Sequence, residues 1–291
     1  LHKMTDQHRI HQRVQATLEY MLSSIDSVEK NSTKLKKAIQ ENLKLYQPGK
    51  EYAIQWKSDT IQSTPLLFKG YAAKFKPSEV SGQPRLYYDR NEPFEKKINF
   101  YDTYLPTDHI TIPSYYVIPQ SEWKTIEHLE RNKIEMKRLQ KDSLISVNGY
   151  KIENFSTVKA PYEGHYLHFD TQVSSFTENI KFRKGDYLVS TKQNGVKYLL
   201  ETLEPMATDS FFNWNFYDAI LGQKEYYSPY VFEDTAAQLL LENTQLKANF
   251  EKKKSEDAQF AKDGKAQLDW VYKNSPYFES TFRRYPIFKI Q

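Results

Sequence analysis

Two pairs of histidines stand three residues apart in this chain, His8 with His11 and His165 with His168, the second inside PYEGHYLHFD. A metal centre needs such imidazoles on one face together with a third ligand. If 165–168 is a strand, an offset of three sends the two rings to opposite faces, so they could share a metal only across a bulge. His8 and His11 share a helix face, but no acidic or third histidine ligand accompanies them, and a solvated pair is expected. Glu201, Glu204 and Asp209 cluster around Pro205 and could in principle supply a general acid and base, as in glycoside hydrolysis. Carboxylates at a helix end stopped by proline are more often exposed or capping. Glu233-Asp234 reads as first-turn acid after Ser228-Pro229, where the helix dipole favours negative charge. The sequence has no Gly-x-Ser-x-Gly, no Gly-x-x-x-x-Gly-Lys, no Gly-x-Gly-x-x-Gly, no His-Glu-x-x-His and no His-x-x-Glu.

The remaining chemistry is aromatic. Residues 210–234, SFFNWNFYDAILGQKEYYSPYVFED, carry an unusual density of rings, and the spacing of Phe211, Phe212, Trp214, Phe216, Tyr217, Ile220 and Leu221 would surround a helix rather than line one stripe. Such a helix is buried on most sides, and the interleaved Asn213 and Asn215 then need partners inside. A groove for peptide or glycan fits the same residues, with Trp214 and Tyr217 as platforms and Asn213 and Asn215 as polar contacts.

The elements that would position these groups follow from periodicity. Ile10, Val14, Leu18, Met21, Leu22, Ile25 and Val28 form one apolar helical stripe, and Leu35, Ile39 and Leu43 repeat the spacing after Asn31-Ser32, a new N-cap. Pro48-Gly49 ends the helical region. Residues 51–118 read as strands and long loops, including 52–56, 66–71 and 115–118. Ser121 heads a short helix with Trp123, Ile126 and Leu129, and 134–139 alternates like a strand. Asn148-Gly149 predicts a hairpin turn between 144–147 and 150–152. Strands are expected at 166–173 and 186–191 around a Lys184-Gly185-Asp186 turn, a helix at 196–203, and mainly helix from there to Lys273, with Ser228-Pro229 as an entry. The fold class is α+β: N-terminal helices, a β-rich middle with an embedded helix, and a mostly helical C-terminal part. The corresponding division is 1–47, 48–195 and 196–291.

Composition sets the outer bounds. A chain of 291 residues can hold one large or two small domains at about 150 residues each. With 22 Tyr and 17 Phe it is too aromatic to stay disordered, and the mean hydropathy of −0.76 is that of a water-exposed surface. The net charge of +4 is interleaved rather than one-sided, which argues against a nucleic-acid footprint. Lys252-Lys253-Lys254, between Glu251 and Glu256, reads as a solvated helix face. There is no cysteine, so disulfides, thiolate catalysis and cysteine metal sites are excluded. No apolar run reaches the roughly 18 residues needed to span a bilayer.

Over most of residues 105–286 the wording of the sequence resembles a known family. DSFFNWNFYDAILGQKEYYSPYVFEDTAAQLL, AQLDWVYKNSPYFESTFRRYP, PYEGHYLH and GDYLVSTKQNGVKYLLETLEP are similar to the C-terminal part of large bacterial zinc carboxypeptidases of the carboxypeptidase A-like superfamily, in particular the Bacteroidetes-type group. In that family the zinc is held by a His-x-x-Glu pair and a later histidine in an N-terminal α/β domain, with a glutamate general base near its end. LHKMTDQHRIHQRVQATLEYML looks like the helix just after that glutamate. The zinc pair and the glutamate have no counterpart here, so no catalytic or metal-binding residue carries over. The resemblance implies that residues 1–47 are the helical remainder of an upstream peptidase domain, followed by a noncatalytic C-terminal region that is structural or docks on that missing domain. Zinc, peptide substrate and export to the periplasm or cell surface then belong to the longer protein, and this chain needs no cofactor of its own.

Overall fold

In the computed structural model, residues 7–291 are described, with side chains from residue 10 onward. The chain is α+β. In order, its elements are α1 (Gln7–Leu43), β1 (Glu51–Ser58), β2 (Thr64–Pro77), β3 (Pro84–Phe100), β4 (Tyr104–Thr111), β5 (Tyr115–Ile118), α2 (Trp123–Arg131), β6 (Lys137–Arg138), β7 (Ser143–Thr157) and β8 (His168–Phe182). Then follow β9 (Tyr187–Ser190), α3 (Val196–Leu203), α4 (Pro229–Glu242), α5 (Thr244–Glu256), α6 (Gly264–Lys273) and β10 (Phe288–Ile290). By contacts the chain falls into two units: residues 51–111 form one, and 1–50 with 112–291 form the other.

The smaller unit is two antiparallel ribbons. β1 pairs with β4, and β2 pairs with β3 along their full length, with a bulge between Tyr71 and Ala72. Lys74 donates to Asp89 (3.0 Å) and to Glu92 across the β2–β3 ribbon, which holds the ammonium above its usual range and the Asp89 carboxyl below its own.

In the larger unit α1 is one unbroken helix of 37 residues, and the N-cap read at Asn31-Ser32 does not form. Asn31 Nδ2 instead donates to the Ser27 carbonyl at 2.9 Å, an i−4 bond that lets the helix pass through. Its stripe of Ile10, Val14, Leu18, Met21, Leu22, Ile25, Val28, Leu35 and Ile39 is 42–61% exposed.

The centre of the larger unit is a six-stranded sheet in the order β6-β9-β5-β10-β7-β8, antiparallel at every pairing. Alternation along the strands gives it two faces. Val117, Val147, Phe182 and Phe288 pack together on one. On the other, Tyr116 of β5 and its register partner Lys289 of β10 point toward the end of α3. β10 therefore lies inside the sheet, between β5 and β7, which precede it in sequence by some 140 to 170 residues.

The hairpin expected at Asn148-Gly149 is absent, because β7 runs straight through these residues. Gly149 is instead a close-packing position opposite Phe176 of β8, where an added Cβ would stand 2.3 Å from the ring. The real tight turn in the neighbourhood is Glu163-Gly164, whose φ angles of +49° and +82° join Tyr162 and His165 in a two-residue hairpin. The strand expected at 134–139 shrinks to Lys137–Arg138, and that expected at 166–173 begins at His168 and continues to Phe182.

The mainly helical stretch expected from Pro205 to Lys273 forms as α4, α5 and α6, but it starts later than Pro205. Residues 205–217 are a succession of turns, followed by a 3-10 turn at Asp218–Ile220 and only then by α4. Because α4 begins at Pro229, Glu233 and Asp234 lie beyond its first turn, exposed. The helices α4, α5 and α6 close a separate small core of Phe232, Ala236, Leu246, Phe250, Phe260, Leu268, Val271 and Tyr272. The triple lysine lies on α5 as a solvated face: Lys252 faces Glu256 at 3.8 Å and Lys253 faces Asp257 at 3.6 Å, while Lys253 and Lys254 lie over Phe260 and Phe250.

Candidate functional site

A groove of about 540 Å³ opens between α2, the Tyr162–His165 turn and the 205–217 turns, lined by Trp123, Lys124, Glu127, His128, His165, Asp209, Phe211, Trp214, Asn215 and Phe216. Helical periodicity places the α2 contribution. Thr125, Ile126 and Leu129 are buried, so Trp123, Lys124, Glu127 and His128 share the outward arc, and Trp123 is 61% exposed. Trp123 thus faces outward, whereas Ile126 and Leu129 of the same helix face the core. His128 is set edge-on against Phe216 (5.1 Å between centroids), and His165 edge-on against Trp214 (5.5 Å).

Backbone capture by short polar side chains holds the opposite wall. Ser210 Oγ donates to the Pro205 carbonyl (3.1 Å) and accepts from the Asn213 N–H (3.0 Å). Asn213 Nδ2 donates to the Ala207 carbonyl (2.8 Å), its Oδ1 accepts from Thr171 Oγ1 (2.9 Å), and its carbonyl accepts from the His168 N–H (2.9 Å). Asn213 is the staple of the turn and is buried by it. Asn215 sits two residues on at a φ of +66°, a left-handed geometry that asparagine tolerates. Its Nδ2 donates to the Tyr166 carbonyl at 2.8 Å. Its Oδ1 is shielded from solvent and has no hydrogen-bond partner among the described residues.

Of the four residues read as ligand contacts, the structure therefore brings Trp214 and Asn215 to the groove and sends Asn213 and Tyr217 into the interior. Tyr217 is 3% exposed, its hydroxyl hydrogen-bonded to Thr125 Oγ1 (2.5 Å) and pushed well above its usual pKa by burial, so it offers no ring face to a ligand.

The carboxylates separate in the same way. Asp209 lines the groove and Glu201 does not, so they do not meet there as an acid–base pair. Glu204 is fully buried and structural: it accepts from Tyr116 Oη (2.7 Å) and from Lys289 Nζ (3.3 Å), and Lys289 also reaches the Tyr150 hydroxyl. Burial, reinforced by the Glu204 charge, pushes both tyrosine hydroxyls far up.

His165 and His168 are parted rather than brought to one metal site. His165 belongs to the groove, whereas His168 is buried against Phe155 and Phe212, with Nδ1 2.9 Å from Thr157 Oγ1 and Nε2 3.1 Å from Asp218 Oδ1. Hydroxyl, imidazole and carboxylate in a line is an order used in nucleophilic catalysis. Here Thr157 and His168 are register partners of β7 and β8, and none of the three lines the groove, so the line latches the strand ends. His11 is exposed on α1, and the side chain of His8 lies outside the described residues. Among the described residues no three His, Asp or Glu side chains gather as a metal-binding group, and no helix is long and apolar enough to cross a membrane.

No protein-family model, curated protein or solved structure matches this chain.

Sequence reading missed the whole α2 contribution. The available signal was a tryptophan on the polar arc of an amphipathic helix, beside Lys124, Glu127 and His128. Nothing local connects that arc to Trp214, some 90 residues later.

Proposed function

We propose that this chain is the noncatalytic part of a zinc metallocarboxypeptidase-like protein, and that α1 docks it on the peptidase domain of that protein. The observation that carries the reading is the exposed stripe of α1. Leu18, Ile25 and Ile39 fall on one seven-residue series, interrupted by Ser32, and Val14, Met21, Val28 and Leu35 fall on a second, three residues out of step. Two such interleaved series form a seam that another helix covers, and an apolar patch of this extent marks an interaction surface. The partner's identity is taken from the resemblance of residues 105–286 to the C-terminal part of such enzymes, and the same reading places the protein in the periplasm or on the cell surface.

The zinc and the general base then reside in the docked domain. Protein purified without metal, and again after zinc addition and dialysis, is expected to retain no stoichiometric zinc by elemental analysis and to release no C-terminal amino acid from peptides. A tightly held zinc in this chain would overturn the reading.

A second reading, a peptide- or glycan-binding module, is favoured by the groove between α2 and the 205–217 turns. It is compatible with docking, since none of the residues that line that groove belongs to the described stripe of α1.

A further inference from the structure

We infer that the groove between α2 and the 205–217 turns is a carbohydrate site. The inference rests on the binding-module reading and adds the class of ligand. Trp123 is largely exposed and Trp214 half-buried, so both offer ring surface of the kind on which the C–H face of a pyranose packs. Around them stand donors and acceptors together: Lys124 as donor, His128 and His165 as either, and Glu127 and Asp209 as acceptors. Hydroxyl groups, which donate and accept at once, are the ligand chemistry that uses both kinds.

Asn215 lines the same groove, and its Nδ2 is held by the Tyr166 carbonyl, so the residue is a fixed part of the wall.

Two alternatives fit less well. An extended peptide is usually held through main-chain bonds along an open strand edge, whereas this groove is lined by one helix and tight turns. A cationic side chain seeking an aromatic face would meet the Lys124 ammonium, which already lies 5.7 Å from the centre of the Trp123 ring.

Calorimetric titration of the whole chain with cello-, chito-, malto- and mannotetraose, beside tetra-alanine as peptide comparator, tests the assignment. Saturable binding of at least one tetrasaccharide is expected, weakened about tenfold by Trp214→Ala and by the solvent-exposed Trp123→Ala, and severalfold by Asp209→Asn. Because Trp123 and Asp209 are exposed, those variants keep the test valid if Trp214→Ala fails to fold. Binding of tetra-alanine alone would overturn the carbohydrate assignment and leave the module reading standing. Silence toward every probe would overturn both, and sugar binding indifferent to both tryptophans would remove it from this groove.

Discussion

Glu204→Ala is expected to lower the unfolding free energy by about 3–5 kcal/mol, the cost of breaking a buried ion pair from one side. The carboxylate is fully buried, and the Lys289 ammonium it faces is nearly so. Without it, Lys289 keeps the Tyr150 hydroxyl as its side-chain partner among the described residues, and the Tyr116 hydroxyl loses its acceptor. The effect reaches beyond one contact, because Lys289 belongs to β10, the strand that joins β5 to β7. Glu204→Gln should cost less, since an amide oxygen can still accept from Tyr116. Combining Glu204→Leu with Lys289→Met should recover most of the loss, as apolar replacement of a buried pair commonly does. Chemical denaturation of the three variants decides the matter. A Glu204→Ala effect within about 1 kcal/mol, the range of an exposed pair, would contradict the network.

Phe212→Ala is expected to cost a further about 3–5 kcal/mol, as for a buried phenylalanine whose site cannot collapse. The ring is fully buried, 5.1 Å from the His168 ring and edge-on to Phe155 (5.7 Å) and Tyr285 (6.4 Å). In the same aromatic stretch Tyr226 is 75% exposed, and Tyr226→Ala should fall within about 0.5 kcal/mol of the parent. Equal effects at the two positions would mean that these turns do not divide their rings between core and surface. The comparison also explains why so many rings gather there: Phe212 and Tyr217 fill the interior, while Phe211, Trp214 and Phe216 line the groove.

How far the sequence discloses this arrangement depends on whether a local pattern or a distant contact decides it. The helix at 196–203, the strand at 115–118 and the turn at Gly185 are legible because periodicity, Pro205 and a positive φ at glycine act within a few residues. Asn148-Gly149 misleads because the choice between turn and strand is made by Phe176, a ring 27 residues away that needs a glycine opposite it. Asn31-Ser32 misleads because asparagine in mid-helix can bond back to the i−4 carbonyl as readily as cap a new start.

The aromatic stretch is the instructive case. Mixed ring spacings predict a helix buried on most sides, yet the same spacings suit a chain of turns that aims each ring separately. Side-chain capture by Ser210 and Asn213 selects the turns, and no periodic signal announces it. For the site, Trp214 and Asn215 were legible as ligand-type residues. Which neighbours face inward was not, because burial of Asn213 and Tyr217 is fixed by Thr171 and Thr125, both remote in sequence.

The measurement that bears most directly on docking is amide hydrogen exchange along α1, with and without a zinc carboxypeptidase-like catalytic domain supplied in trans. Docking predicts that exchange over residues 10–39 slows when that domain is added, and that Ile25→Asp, placed in the middle of the stripe, removes the slowing while leaving the six-stranded sheet protected. Unchanged exchange along α1 in the presence of the domain would contradict it.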